Sequence, residues 1–415
     1  MVKDRVHRQI VRNLGRVEEW FKEKKKDLDL PFYSSFDIRD FGHKVTNVDA
    51  NIFPAGFNNI CQVDRENAGD LAREYIKDHY VSGAKNLLII TEEHTNNRYY
   101  WDNVSALKKI VLDAGLNVEL AVLKKDLGPA MSIESASYGD VLVQTATIQD
   151  GHLVCSDFVP DLVISNNDFS DSYEGMMQGK LDFPINPPRE LGWYQRKKST
   201  YFKHYNHLCH EFAELIDLDP WLFTVETELF SGFDLSNDDS RERLAVRVEK
   251  MLESLRISYS QRGIEDHPVL FIKNNAGTYG LAVMRVESAD DIRNLNYKHR
   301  KKMKAAKGGR VVEEVIIQEG VPSIVTDEGL TAEPAIYLLG CQLAGGFLRT
   351  HAEKGPTESL NSPGAVYRRL CVSDLRISVE GHPLENVYGW VARLGALAIG
   401  RESQEMNVIY RGYNR

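Results

Sequence analysis

The sequence predicts an α/β first half built on a parallel sheet and an α+β second half, and three observations carry that expectation. Between residues 64 and 165 short apolar runs alternate with amphipathic helical stretches, a pattern that gives parallel strands covered by helices. After residue 262 strand-like runs outnumber helical ones. A chain of 415 residues is also longer than one ordinary core supports. Two domains are therefore expected, 1–190 and 191–415.

The elements follow in order. Val6, Ile10, Leu14, Val17 and Phe21 recur every three or four residues, which predicts one amphipathic helix over 3–26, closed by Pro31. The polar, aromatic stretch SSFDIRDFGHKVTNVDANIFPAGFNN fills 34–59. Helix 64–80, strand 86–90, helix 97–114 and strand 117–123 come next, with β-rich runs at 141–148 and 161–165. In a parallel sheet ligands gather beyond the strand carboxyl ends, where the loops TEEHTNNR (from Thr91) and SNNDFSD (from Ser165) lie. Residues 180–230, rich in proline and aromatics, read as a connection. Helix 240–262, strands 269–273 and 281–286, helix 289–306, strands 311–318, 333–339 and 344–350, and helix 386–399 complete the pattern.

Composition narrows the function. The 51 basic and 60 acidic residues leave a net charge of −9, which argues against a bulk nucleic-acid or anionic-membrane partner. The first ten residues lack the apolar core of a signal peptide, and no window has the roughly 18 apolar residues of a membrane span. Five scattered cysteines form no CxxC pair and suggest no disulfide framework, so a reducing cytoplasm is expected. The assembly state is left open, a homo-oligomer included.

Four later segments carry chemistry. In VLFIKNNAGTYGLAVM (269–284) an apolar strand ends in Lys273, and a loop with Gly277, Thr278, Tyr279 and Gly280 enters another strand. Glycines let backbone N–H groups approach a phosphate, and the lysine adds charge; an ordinary glycine hairpin has the same pattern. VEEVIIQEGVP (312–322) is a strand ending in Gln318–Glu319, and backbone groups left free there suit an adenine edge. AEPAIYLLGCQLAGGFLRTH (332–351) reads as two antiparallel strands that bring Glu333 and Arg349 to one cleft. ESLNSPGA (358–365) offers Glu358 and Asn361, hard oxygen donors for Mg²⁺.

This ordered set resembles the ATP-grasp superfamily. With FDIRDFGHKVTNVDANIFPAGFNNIC, TEEHTNNRYYWDNV and LGWYQRKKSTYF added, the chain from about 33 to 366 is similar to the proteobacterial ATP-grasp-type glutamate–cysteine ligases (gamma-glutamylcysteine synthetases). The resemblance implies a Rossmann-like pre-ATP-grasp domain followed by a glutathione-synthetase-like ATP-grasp domain. It implies a cytoplasmic enzyme that uses ATP and Mg²⁺ to join the γ-carboxylate of glutamate to the amine of cysteine through an acyl phosphate, the first step of glutathione biosynthesis. Lys273 and the 277–280 loop would hold the ATP phosphates. Gln318, Glu319 and Val321 would line the adenine, Arg349 would neutralise the transferred phosphoryl group, and Glu358 with Asn361 would hold the metal.

Two departures from the superfamily pattern stand out. Glu358 and Asn361 are three residues apart where two is usual, so Glu333 is the alternative first carboxylate. Ala282 stands where a further glycine is usual. The amino-acid pocket needs both charge signs, which Arg39, Asp49, Asn51, Asn58, Asn59, Asn166 and Arg196 supply; turn chemistry is the competing role of the Asn and Asp residues.

Other signals are set aside. If 204–211 were helical, His204, His207 and Glu211 would share one face, which permits zinc, but no second ligand group stands out. The basic run 298–310 lacks stacking aromatics other than Tyr297, so a solvated helix is preferred to a nucleic-acid surface. His94 suits substrate orientation or capping equally. The rival functions are glutathione synthetase or another amino-acid ligase, and a nucleotide-binding regulator without turnover.

Overall fold

The computed structural model describes residues 2–80, 84–93, 96–123, 130–149, 151–170, 183–277, 283–295, 303 and 312–413. An antiparallel sheet holds the centre, with strand order β18-β17-β16-β1-β2 and β15 added on β16. Its strands are β1 (Tyr33–Asp40), β2 (Val45–Asn51), β15 (Thr326–Asp327), β16 (Leu330–Leu339), β17 (Gln342–His351) and β18 (Ala365–Leu370). The polar stretch 34–59 thus contains a hairpin, and a division of the chain near residue 190 is crossed by this sheet. Phe36 and Ile38 of β1 point into the core under α8 (Val387–Glu405). The backbone of α8 comes so close that a Cβ on Gly395 would lie 2.5 Å from the Phe36 ring. Alternation then turns Asp37 and Arg39 to the opposite face.

The second sheet has the order β10-β9-β3-β4-β6-β5. It comprises β3 (Asn86–Thr91), β4 (Asn117–Val122), β5 (Ala130–Glu134), β6 (Asp140–Thr145), β9 (Leu162–Ser165) and β10 (Ile185–Asn186). All pairings are parallel except β5 with β6. In β3, Leu87 and Ile89 join one core while Leu88 and Ile90 join the other, as expected of a strand covered on both faces. Helices α3 (Gln62–His79) and α4 (Arg98–Asp113) cover the first face.

The third sheet is antiparallel, β11-β14-β12-β13, from β11 (Thr227–Ser231), β12 (Val269–Asn274), β13 (Val283–Val286) and β14 (Glu314–Gly320). It packs on α6 (Asp238–Gln261) and the short α7 (Ala289–Arg293) around its own core. Two small hairpins, β7 (Thr147–Gln149) with β8 (His152–Val154) and β19 (Arg376–Val379) with β20 (His382–Glu385), complete the strands.

Three expectations need correction. The single N-terminal helix is two, α1 (Val2–Arg12) and α2 (Leu14–Lys26). Asn13 leaves helical geometry at φ −113°, ψ 16° and its side-chain amide donates to Gln9 O, a local bond that competes with the helix. The connection at 180–230 contains α5 (Lys198–Leu215), which packs on α8. Its buried stripe is Tyr201, Tyr205, Leu208 and Phe212, a helical period carried mostly by aromatics. Third, Cys61 and Cys371, 310 residues apart, form a disulfide with Cα atoms 5.9 Å apart. Cys155, Cys209 and Cys341 are free and buried.

Candidate active site

A band of charge crosses four strands of the central sheet. Glu333 on β16 lies opposite Arg349 on β17, and Asp37 on β1 lies opposite Asp49 on β2. Arg349 Nη1 donates to Asp37 at 2.9 Å and also to Glu333. Arg39 Nη2 reaches Glu333 at 2.7 Å and donates to the Glu358 carbonyl at 2.8 Å. Lys198, at the start of α5, pairs with Asp49.

Two cavities meet along this band. The first is a slot of about 70 Å³ between the third sheet and the central one, with Val48, Phe271, Val283 and Val321 as its apolar walls and Lys273, Gln318, Glu319 and Glu333 among its polar ones. The second is a cavity of about 920 Å³ between the central and parallel sheets. They share Asp37, Asp49, Lys198, Gly277 and Asn361.

The glutamate–cysteine ligase (GshA) family model matches residues 7–403. The chain belongs to the glutamate–cysteine ligase family. A crystal structure of a protein from Methylobacillus flagellatus KT, provisionally described as a gamma-glutamylcysteine synthetase, is 33% identical and superposes with a TM-score of 0.85, covering 97% of this chain and 96% of that one. A glutathione synthetase-like effector from Globodera pallida (11% identity, 88% and 83% covered, TM-score 0.39) and D-alanyl-alanine synthetase A from Vibrio cholerae (10%, 79% and 82%, 0.32) also match. No curated protein matches the chain. The enzyme joins glutamate to cysteine, the first step of glutathione biosynthesis. Among the described residues no helix is long and apolar enough to cross a membrane.

The ligase's slot gathers most of the expected nucleotide residues. Lys273 Nζ donates to Gln318 Oε1 at 2.6 Å and to Val48 O at 3.0 Å. Burial, only partly offset by Asp49, pushes its amine down to about 8. The Glu319 carboxylate is taken by Lys44 at 2.9 and 3.0 Å, so its side chain is already satisfied. The ladder of β14 with β12 ends at Gly320, which leaves the backbone at Val321 outside any strand pairing. Thr278, Tyr279 and Gly280 lie outside the described residues, as do His94 and most of the basic run 298–310.

Two carboxylates on one guanidinium behave differently. Burial raises the Glu333 carboxyl, but Arg39 and Arg349 together outweigh it and hold the group low. Asp37 has Arg349 without Arg39, and burial wins, with Glu333 nearby adding to the rise. In ion pairs, too, Glu333 has two guanidinium partners and Asp37 one, so Asp37 is the less compensated of the two. At Asp49, burial is outweighed by Lys198 and then Lys273, and the carboxyl is held low.

The expected amino-acid residues divide. Asp49, Asn51, Asn58 and Asn59 line the large cavity and Arg39 the slot. Arg196 does not line either cavity; it is buried with Glu402, Nε lying 3.0 Å from both carboxylate oxygens, and donates to Ala50 O. Asn166 is likewise buried as a brace, donating to Tyr33 Oη and Pro54 O and accepting from Asn103. Of the expected metal donors, Glu333 and Asn361 line the slot, whereas the Glu358 carboxylate turns to Lys354 Nζ and Gly355 N.

Asp37, Lys198, Phe271 and Val283 escaped the sequence reading. Asp37 was within reach, because FDIRD alternates and any face that shows Arg39 also shows Asp37. The helical histidines face carboxylates: His204 pairs with Glu405 and His207 with Glu211, which also holds Lys24 and Arg401. Among the described residues the metal-capable grouping is Cys61, Asp64 and Cys371, whose sulfurs are joined to each other.

Proposed function

We propose that the ligase phosphorylates the γ-carboxylate of glutamate with ATP and that the amine of cysteine then attacks the acyl phosphate, giving γ-glutamylcysteine, ADP and phosphate. The observation that carries this is the junction of an apolar slot with a large polar cavity through Asp37, Asp49, Lys198, Gly277 and Asn361. A carboxylate offers an attacking amine only oxide as leaving group; phosphorylation replaces oxide by phosphate. What remains for the protein is positioning and charge neutralisation.

In this reading the adenine stacks between Phe271, Val283, Val48 and Val321, with Gln318 and the backbone beyond Gly320 at its edge. Lys273 and the loop from Gly277 face the phosphates, and Arg349 faces the transferred group. At about 70 Å³ the slot is smaller than the roughly 300–1,000 Å³ of ligand sites, so in this reading the slot widens when nucleotide enters.

Mg²⁺ fits the donor set Asp37, Glu333 and Asn361. All are hard oxygen donors lining the slot, and Asp37 is a carboxylate that its cationic neighbour does not fully compensate. Bound there, the ion would supply positive charge to the phosphate oxygens. Residues 1–190 would chiefly bind the amino acids and 191–415 the nucleotide, with β1 and β2 crossing between the two. The cytoplasm, where ATP, glutamate and cysteine occur together, is our compartment for the reaction; the cysteines no longer argue for it, given the Cys61–Cys371 bond.

The test is ADP release by purified protein with Mg²⁺-ATP and glutamate, with and without cysteine, and then with γ-glutamylcysteine plus glycine. Release that needs glutamate and cysteine together is expected. Release only with the dipeptide and glycine would make the protein a glutathione synthetase.

A further inference from the structure

Three cations line the large cavity, and two already face carboxylates: Lys198 faces Asp49, and Arg349 faces Asp37 and Glu333. The third, Arg65 on α3, has no carboxylate partner among the described residues; its guanidinium donates to the hydroxyl of Tyr138. On the same wall Asp102 of α4 is the mirror case. It is only 3% exposed, lines the cavity, and has no cationic partner among the described residues. One of its oxygens accepts from Ser137 N at 2.8 Å, and among the described residues no hydrogen bond reaches the other. Tyr138 and Ser137 are neighbours in a single turn, closed by Ser135 N donating to Gly139 O at 2.9 Å. One turn thus brackets a cation lacking an anion and a nearly buried anion lacking a cation.

We propose that Arg65 and Asp102 hold the α-carboxylate and α-ammonium of the glutamate substrate, an assignment that rests on the ligase reading above. A buried carboxylate is costly unless it is paired, and an α-amino acid carries the two complementary charges on one carbon. Both amino-acid substrates have these groups, but only one can use this pair. The amine of cysteine is the nucleophile and must be uncharged and free, so a carboxylate that keeps it as an ammonium ion would block attack. In glutamate both α-groups are spectators. The reacting carboxylate lies two methylenes away and is left free of this clamp, in the cavity that Arg349 and Lys198 also line. Arg65 and Asp102 are binding residues on this view and take no part in bond making.

The experiment compares three donors in the full-length protein with Mg²⁺-ATP and cysteine. Glutamate has both α-groups, 4-aminobutyrate lacks the α-carboxylate, and glutarate lacks the ammonium. Arg65→Ala is expected to lower kcat/KM for glutamate by about 10- to 100-fold, the worth of one charged hydrogen bond, and to leave 4-aminobutyrate unchanged. Asp102→Asn, which keeps the acceptor for Ser137, should lower glutamate by a similar factor and leave glutarate unchanged. KM for ATP and cysteine should not move. Where an analogue turns over too slowly, its competitive Ki against glutamate gives the same comparison, and Arg65→Gln replaces Arg65→Ala if the latter does not fold. Equal losses on all three donors, or a loss confined to cysteine, overturn the assignment while wild-type activity keeps the ligase reading intact. A wild type that forms no product from glutamate and cysteine overturns both.

Discussion

Arg349 on β17 and Asp37 on β1 are 312 residues apart in the chain and 2.9 Å apart in space. The strand between them, β16, carries Glu333, which binds the same guanidinium. This places Asp37 where the slot and the large cavity join.

That position makes Asp37 a sharper target than Glu358. Asp37→Asn is expected to lower turnover by about 100- to 1,000-fold, the range for losing one contact that stabilises developing charge, and to raise the Mg²⁺ concentration needed for half-maximal rate. Glu358→Gln should change turnover little, because it removes a half-exposed pair with Lys354 worth about 0–1 kcal/mol. Steady-state rates over a Mg²⁺ series check both. The reverse ranking would return Glu358 to the metal.

Arg349 separates a ligase from a nucleotide binder. Arg349→Lys keeps a cation beside Asp37 and Glu333 but loses the fork that reaches both. Turnover should fall far more than ATP affinity, measured by nucleotide titration of the same preparation. Equal loss in both would mean that Arg349 serves binding alone.

Lys273 should set an alkaline limb. Its amine is pushed down to about 8 by burial, so its charge is lost as pH rises through that value, and kcat/KM for ATP, which reports the free enzyme, should fall with it. Lys273→Arg should move the limb to higher pH. The stability sign is opposite to that of a salt-bridged lysine. The folded value lies below the ordinary 10.5, so keeping the charge costs stability below about pH 8. That cost is relieved as pH climbs from about 8 to 10.5.

Arg196 should behave as a structural residue. Arg196→Ala strands Glu402, a carboxylate with no exposed surface, and should cost about 3–5 kcal/mol in denaturant unfolding. KM for glutamate should stay near the wild-type value. A large rise in KM at unchanged stability would restore Arg196 to the substrate site.

The Cys61–Cys371 bond joins two walls of the large cavity. Cys61 follows Asn58 and Asn59, and Cys371 follows β18, whose first residues line the cavity. Denatured protein should expose three alkylatable thiols without reductant and all five with it. Five without reductant would show that the pair is not oxidised.

Much of the lining of the slot was legible in the chain because it lies in short, contiguous segments. Lys273 at a strand end, Gln318–Glu319 at another, and Glu333 facing Arg349 needed only alternation and one hairpin register, and β16 and β17 pair in that register. The parallel sheet was legible for the same reason, since α/β alternation is a local pattern. The long helix α5 was missed because aromatics rather than aliphatics carry its period.

What the sequence by itself determined, then, were the elements whose signal repeats within a few residues and several of the residues that line the slot. Tertiary structure alone decided that β1 and β2 join β16, that Asp37 therefore shares Arg349 with Glu333, that Arg196 and Asn166 brace the core, and that Cys61 meets Cys371. Each depends on at least one pairing across more than a hundred residues. Local propensity does not register such contacts, because they form only when separate apolar faces bury against one another, and burial then determines which charges must find partners.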